Sequence, residues 1–194
     1  MKRVENTVHC CFDLELEQPK TNHQTPDSLL DVEKIIQVGY VIYKVEPEFK
    51  VLESVTSFVN INVPLSAFIK KLTGITDEQV ASGGTINNAY NKMAELQKKY
   101  NFSRVLKQWG GGDDICMKAE VTNEPWVFGR SACNIKHIYQ LYAESQGMNK
   151  SGGLAKSMKK CGLKWQGGGK HDAMFDALNT AVMHNFLYRR LKGE

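Results

Sequence analysis

Two carboxylates separated by one residue, Asp13 and Glu15, stand in a segment whose apolar residues recur at every second position. Val8, Cys10, Phe12, Leu14 and Leu16 fall on one face of the strand this alternation predicts over residues 8–16. His9, Cys11, Asp13, Glu15 and Glu17 fall on the other. A central strand of an α/β sheet is apolar on both faces, so two acids on one face of such a strand ask for a counter-charge. A divalent cation is the usual remedy. An edge strand with a wet face is the alternative, and His9 and Glu17 on the same face would suit it.

A further acid, Asp176, follows a glycine loop in Gly167-Gly168-Gly169-Lys170-His171-Asp172-Ala173-Met174-Phe175-Asp176. Asp172 can cap a helix here, leaving His171 on the loop before it. The glycines would let that imidazole swing. Ala173, Ala177 and Ala181 make a small-residue face that could approach a sheet closely, a poor place for Asp176 unless something charged faces it. A capped helix with one exposed Asp and a loop His is the plainer reading. Another acid closes Trp109-Gly110-Gly111-Gly112-Asp113-Asp114. The phosphate-cradling pattern G-x-x-x-x-G-K-[ST] is absent from both glycine runs. Asp113 or Asp114 could equally serve as a helix N-cap.

The elements that must position these groups begin with strands. Residues 35–43 and 50–59 are rich in Val, Ile, Phe and Tyr, as strands are. Helical punctuation follows: a short helix over 66–72 closed by Gly74, a capping box at Thr76 with Gln79, and a longer helix capped by Thr85. In that helix Ile86, Tyr90, Met93, Leu96 and Tyr100 recur at helical spacing. A strand over 104–109, a helix over 113–120 and a fifth strand starting at 125–128 come next. Helices over 135–144, 153–161 and 172–191 complete the chain. Three strands followed by alternating strands and helices imply a five-stranded mixed sheet covered by helices. The polar stretch from Gln18 to Asp31, with Pro19 and Pro26, is a surface loop on this reading.

Bulk properties narrow the class. A chain of 194 residues with 42% hydrophobic and 24% charged content favours one globular domain, here residues 1–194. No apolar run nears the roughly 20 residues that span a bilayer, and Met1-Lys2-Arg3 is not followed by a signal-like apolar stretch. Five cysteines, an odd number without a C-x-x-C pair, point to free thiols and a cytoplasmic protein. The net charge of +4 permits a polyanionic partner without demanding one.

Phe12-Asp13-Leu14-Glu15 resembles the first motif of the DEDD exonucleases. Ile35-Ile36-Gln37-Val38-Gly39 looks like their second strand, and Leu72-Thr73-Gly74-Ile75-Thr76 is similar to the segment after their third. Trp109-Gly110-x-x-Asp113 resembles the second motif of the branch related to the enhanced-RNAi exonucleases. His171-x-x-x-x-Asp176, extended by Ala177 and Asn179-Thr180-Ala181, resembles the third motif of the DEDDh subclass. The similarity runs from about residue 8 to 187 in the family's order.

The resemblance implies an RNase H-like αβα fold and 3′–5′ hydrolysis of single-stranded RNA or DNA ends, with RNA favoured. It also implies two divalent cations, Mg²⁺ or Mn²⁺, held by Asp13, Glu15, Asp113 and Asp176, and His171 as general base. Two departures mark the chain. Leu16 and Glu17 stand where many relatives have small or polar residues. Ile115 after Asp114 would fit a shift of the second motif by one residue. Lys150, Lys156, Lys159, Lys160, Lys164 and Lys170 could neutralise phosphates or form a solvated face. Trp165 and Phe68 could stack on bases or fill the core. A DNA repair exonuclease and a catalytically silent nucleic-acid-binding module are the competing functions.

Overall fold

In the computed structural model, which describes residues 7–169 and 171–194, the alternating segment becomes the middle strand of the sheet. Residues 1–6 and Lys170 lie outside the described residues, and with them the expectations for Met1–Arg3 and for that lysine. The strands are β1 (Val8–Glu17), β2 (Lys34–Lys44), β3 (Lys50–Phe58), β4 (Lys107–Gln108) and β5 (Cys133–Asn134), in spatial order β3-β2-β1-β4-β5. β1, β2 and β3 pair antiparallel, while β4 and β5 continue parallel to β1. The sheet is therefore five-stranded and mixed, in an RNase H-like α/β fold.

Helices cover both faces. On one, Cys10, Phe12 and Leu14 pack with Tyr90, Met93 and Leu96 of α3 (Ile86–Tyr100) and Met117 of α4 (Asp113–Glu120). On the other, Cys11, Val41 and Tyr43 pack with Ala177 and Ala181 of α7 (Ala173–Leu191). α5 (Ile135–Ser145) and α6 (Leu154–Lys160) share a core with α7 through Tyr139, Met158 and Met183. Two short helices, α1 (Ala67–Thr73) and α2 (Asp77–Ala81), cover Ile36. Their caps are those the sequence predicts: Ser66 and Gly74 bound α1, and Thr76 with Gln79 forms the capping box of α2.

The wet-edge alternative for β1 falls away. Glu17 is fully buried and one carboxylate oxygen accepts the Ser66 N–H at 2.9 Å. His9 lies between the rings of Tyr43 and His184. Burial, then the charge of Lys107, pushes His9 down to about 4 and His184 to about 3, so both imidazoles are neutral in the fold at neutral pH.

The fifth strand differs from expectation. Residues 125–128 form no strand, and β5 is Cys133–Asn134 instead. The apolar run there serves an aromatic cluster: Trp126 stacks on Tyr90, and Phe128 stacks on Phe102. Its backbone is satisfied locally, with Tyr90 Oη donating to Pro125 O and accepting from Val127 N. Burial without ladder pairing produced the same apolar signature as a strand. The strand expected over 104–109 shrinks to Lys107–Gln108. Residues 18–31 form the expected loop, anchored where Asp27 accepts the Ala67 N–H at 2.8 Å and Lys20 pairs with Asp31.

One close approach orients α7. A Cβ on Gly39 would fall 2.0 Å from Met174 N and 2.1 Å from Ala173 C. Only a strand position without a side chain admits the helix start at this depth. Gly39→Ala should therefore push the first turn of α7 outward and cost at least about 1–3 kcal/mol, the scale of overpacked cores. Urea unfolding of the variant measures it, and an unchanged midpoint would show that α7 can shift without cost.

Candidate active site

Asp13 and Glu15 project from β1 towards the start of α7, opposite Gly39 and Gln37 of β2 in the ladder. A register shift follows Glu15, so the acid pair ends the regular part of the strand. Asp176 enters from the first turn of α7 and Asp113 from the start of α4. Donor atoms of Glu15, His171 and Asp176 all lie within 4.8 Å of one another. Asp13, His171 and Asp176 line a cleft of about 390 Å³ with Trp109, Trp165 and residues 153–156 of α6 and its approach.

Electrostatics ties the four carboxylates together. Burial is the first cause that raises Asp13 well above the usual carboxylate range, followed by repulsion from Asp113, Asp176 and Glu15. Burial, then Asp176, Asp172 and Asp113, raises Glu15 to about 8. Burial, then Asp114, raises Asp113 to about 7. Acids held this close without a cation keep protons at neutral pH, and a divalent ion would displace them. An oxygen-rich donor set from three elements suits a hard cation such as Mg²⁺ or Mn²⁺.

The adjacent aspartates do different things. Asp113 faces the cluster, whereas the Asp114 carboxylate is buried and held by Gln108 Nε2 at 3.3 Å, the Ala132 N–H at 3.1 Å and Lys118 at 3.5 Å. Asp114 thereby ties β4 to α4 and to the approach to β5. The turn before them contains Gly110 and Gly112 at φ 95° and 118°, backbone that L side chains rarely adopt.

Around His171 the chain is more constrained than a run of glycines implies. A Cβ on Gly167 would lie 2.2 Å from the Phe175 ring, and one on Gly168 2.6 Å from it. Two of the three glycines thus exist to let Phe175 pack beneath the loop. Trp165 Nε1 donates to Gly168 O at 2.9 Å. His171 itself has φ 62°, and its N–H donates to Asp176 Oδ2 at 3.1 Å. Asp172 caps α7 as expected, accepting from Met174 and Phe175 N–H through Oδ1. Gln37 and Asn179, both fully buried, bond this segment. Gln37 stands in the segment that resembles the family's second strand and Asn179 in the extension of the third motif, but neither was singled out as a site residue.

The remaining candidates divide. Lys156 lines the cleft. Lys150 pairs with Glu144, and Lys160 donates to Asn149 O and Ser151 O, so those two serve local structure. Lys159 and Lys164 are exposed. Trp165 lines the cleft and also packs on the α5–α6–α7 core. Phe68 packs against the Ile36 cluster.

A family model described as an exonuclease family, RNase_T, matches residues 11–183, and the chain belongs to this family. It thus carries an exonuclease domain on an RNase H-like fold. The nuclease domain of 3′hExo, described as a DEDDh family member bound to rAMP, superposes with a TM-score of 0.75 at 20% identity, covering 94% of this chain and 92% of that one. Cell-death related nuclease 4 (CRN-4) gives 0.76 at 20% identity, over 94% of this chain and 64% of that one. Exonuclease I of E. coli in complex with a dT13 oligonucleotide gives 0.66 at 16% identity, over 97% and 43%. The chain spans less than two thirds of the length of the latter two. Among curated protein sequences there is no match.

Two outcomes follow from the charges. Without metal, these acids hold more protons in the fold than in the unfolded chain up to the raised values of about 8 for Glu15 and about 7 for Asp113. Above the ordinary imidazole range of about 6.5, the neutral His9 and His184 no longer oppose that slope. Stability of EDTA-treated protein should fall as pH rises through that window, and added Mn²⁺ should restore it most near pH 8. Thermal melts across pH with and without Mn²⁺ test this; a metal-free melting temperature that rises with pH would contradict it. Asp114→Asn should lower stability by about 1–3 kcal/mol through its lost buried bonds, while Asp113→Asn should leave the metal-free protein as stable or more so. Denaturation midpoints of the two variants distinguish the roles.

Proposed function

We propose that this chain is a single-domain, metal-dependent 3′–5′ exonuclease that hydrolyses single-stranded nucleic acid from its 3′ end and releases nucleoside 5′-monophosphates. The observation that carries the reading is the convergence of four carboxylates from β1, α4 and α7 with an exposed imidazole, Asp13, Asp176 and His171 lining one cleft. Asp13, Glu15, Asp113 and Asp176 would hold two divalent cations, Mg²⁺ or Mn²⁺. Bound there, the cations neutralise the acids and stabilise charge on the attacking and leaving oxygens of the phosphodiester.

The protein's own groups supply the rest. His171 takes the proton from the attacking water, and its exposed place on the cleft wall suits a base better than a ligand for an oxygen-preferring cation. Lys156 offers a positive charge to the backbone phosphates at the cleft edge. Trp109 and Trp165 give the cleft the apolar surface on which a base can rest. RNA is the favoured substrate: the 3′hExo nuclease domain was captured with rAMP, and another similar structure is described as 3′-end recognition of histone mRNA stem-loop by a 3′-exonuclease. DNA is the second reading, favoured by the dT13 complex of exonuclease I. The link to the enhanced-RNAi branch rests on Trp109-Gly110-x-x-Asp113. Five free cysteines suit a reducing, cytoplasmic location.

Oligonucleotides labelled at either end, as RNA and as DNA, test the reading in Mg²⁺ or Mn²⁺. Mononucleotides should leave from the 3′ end, faster from RNA, and stop with EDTA or Asp13→Ala. His171→Ala should lower kcat about 10²- to 10⁴-fold. Persistent cleavage by Asp13→Ala would sink the assignment, and tight binding without turnover in either metal would favour a silent binding module.

A further inference from the structure

The His171 loop is gripped at both ends by side-chain amides, Asn179 and Gln37, that are not among the residues lining the cleft. At its start, Gln166 N–H donates to Asn179 Oδ1 at 2.8 Å, and Asn179 Nδ2 donates back to Gln166 O at 3.0 Å. The same Nδ2 also donates to Phe175 O at 2.8 Å, fixing the amide to its own helix. At the end of the loop, Ala173 N–H donates to Gln37 Oε1 at 2.9 Å, and Gln37 Nε2 donates to Asp172 Oδ2 at 3.4 Å. Both amides are fully buried. A buried amide that loses such partners pays the full desolvation penalty of its polar atoms, so these grips resist release.

Between the two grips runs the short segment that carries His171. Phe175 fills the space beneath Gly167 and Gly168, and the His171 N–H is tied to Asp176. His171 has a left-handed φ of 62°, which a non-glycine residue adopts at a cost.

We propose that Gln37 and Asn179 are positioning residues: together they clamp the ends of the His171 loop and set where its imidazole stands relative to Glu15 and Asp176. Gln37 registers the loop against the sheet, and Asn179 registers it against α7. The inference rests on the reading of His171 as the general base and adds the residues through which the fold places it. A displacement of about 1 Å at a reacting group can cost about a hundredfold in rate, so losing one clamp should act on kcat.

The test uses Gln37→Met and Asn179→Leu, which keep the side-chain shape without its polar atoms, alone and combined with His171→Ala. Melting temperatures establish that each variant folds. Each clamp variant should lower kcat about 10- to 100-fold, with KM and Mn²⁺ affinity, measured by calorimetry, within about twofold. In the His171→Ala background neither change should lower kcat further. Amide exchange should quicken at Gln166 in Asn179→Leu and at Ala173 in Gln37→Met. Losses that multiply with His171→Ala, a parallel loss of Mn²⁺ binding, or unchanged kcat with quickened exchange would each overturn the clamp. If His171→Ala alone retains full kcat, the general-base reading fails, and the clamp role falls with it. A clamp that fails while His171→Ala remains crippled leaves that reading intact.

Discussion

Everything at the site depends on how closely α7 lies on the sheet. Its first residues rest on the backbone of Gly39, at a distance no side chain would allow, and Ala177 and Ala181 continue the contact down the helix. That approach is what carries Asp176 and His171 to Asp13 and Glu15 on the neighbouring strand. A helix set back by even one methyl layer would separate the two halves of the cluster. The packing term and the chemistry are therefore one constraint: small residues on α7 and a glycine on β2 exchange apolar contact area for proximity of charge.

That proximity has an electrostatic consequence. Asp13, Glu15 and Asp113, buried beside Asp176, repel one another and keep protons that isolated acids would release. The fold holds them against this repulsion through interactions elsewhere, such as the Asp172 cap, the Gln37 bonds and the apolar core around Cys11 and Tyr43. A region of stored repulsion, stable only because its surroundings over-determine it, is ready to bind positive charge. The same surroundings hold Asp114, one residue from Asp113, as a wholly structural acid with three partners.

The described residues on either side of the histidine are closely packed. Glycines read along the chain as freedom of motion, yet Gly167 and Gly168 are there because Phe175 occupies the space a side chain would need. Asn179 and Gln37 then fasten the flanks. A general base must meet a water at hydrogen-bond distance, and a loop that wandered would forfeit the advantage of orientation.

How much was legible beforehand follows from the range of each interaction. Local rules carried the caps of α1, α2 and α7, the alternating β1 and the acid pair on one of its faces, because period and capping act within a few residues. The order of the motifs along the chain was enough for family and fold class, and it nominated five candidate residues. What the sequence could not decide was set by contacts distant in the chain. Residues 125–128 looked like a strand because burial in an aromatic cluster leaves the same apolar trace as sheet pairing. Asp113 and Asp114 could not be told apart until Gln108, Ala132 and Lys118 were seen to claim the second of them. Gln37 gained its meaning from Ala173, 136 residues away. By itself the sequence determined which chemical groups exist and on which face of each element they lie, since those are local properties. Only the tertiary structure decided which of them meet, because that depends on how closely α7 can lie against the sheet.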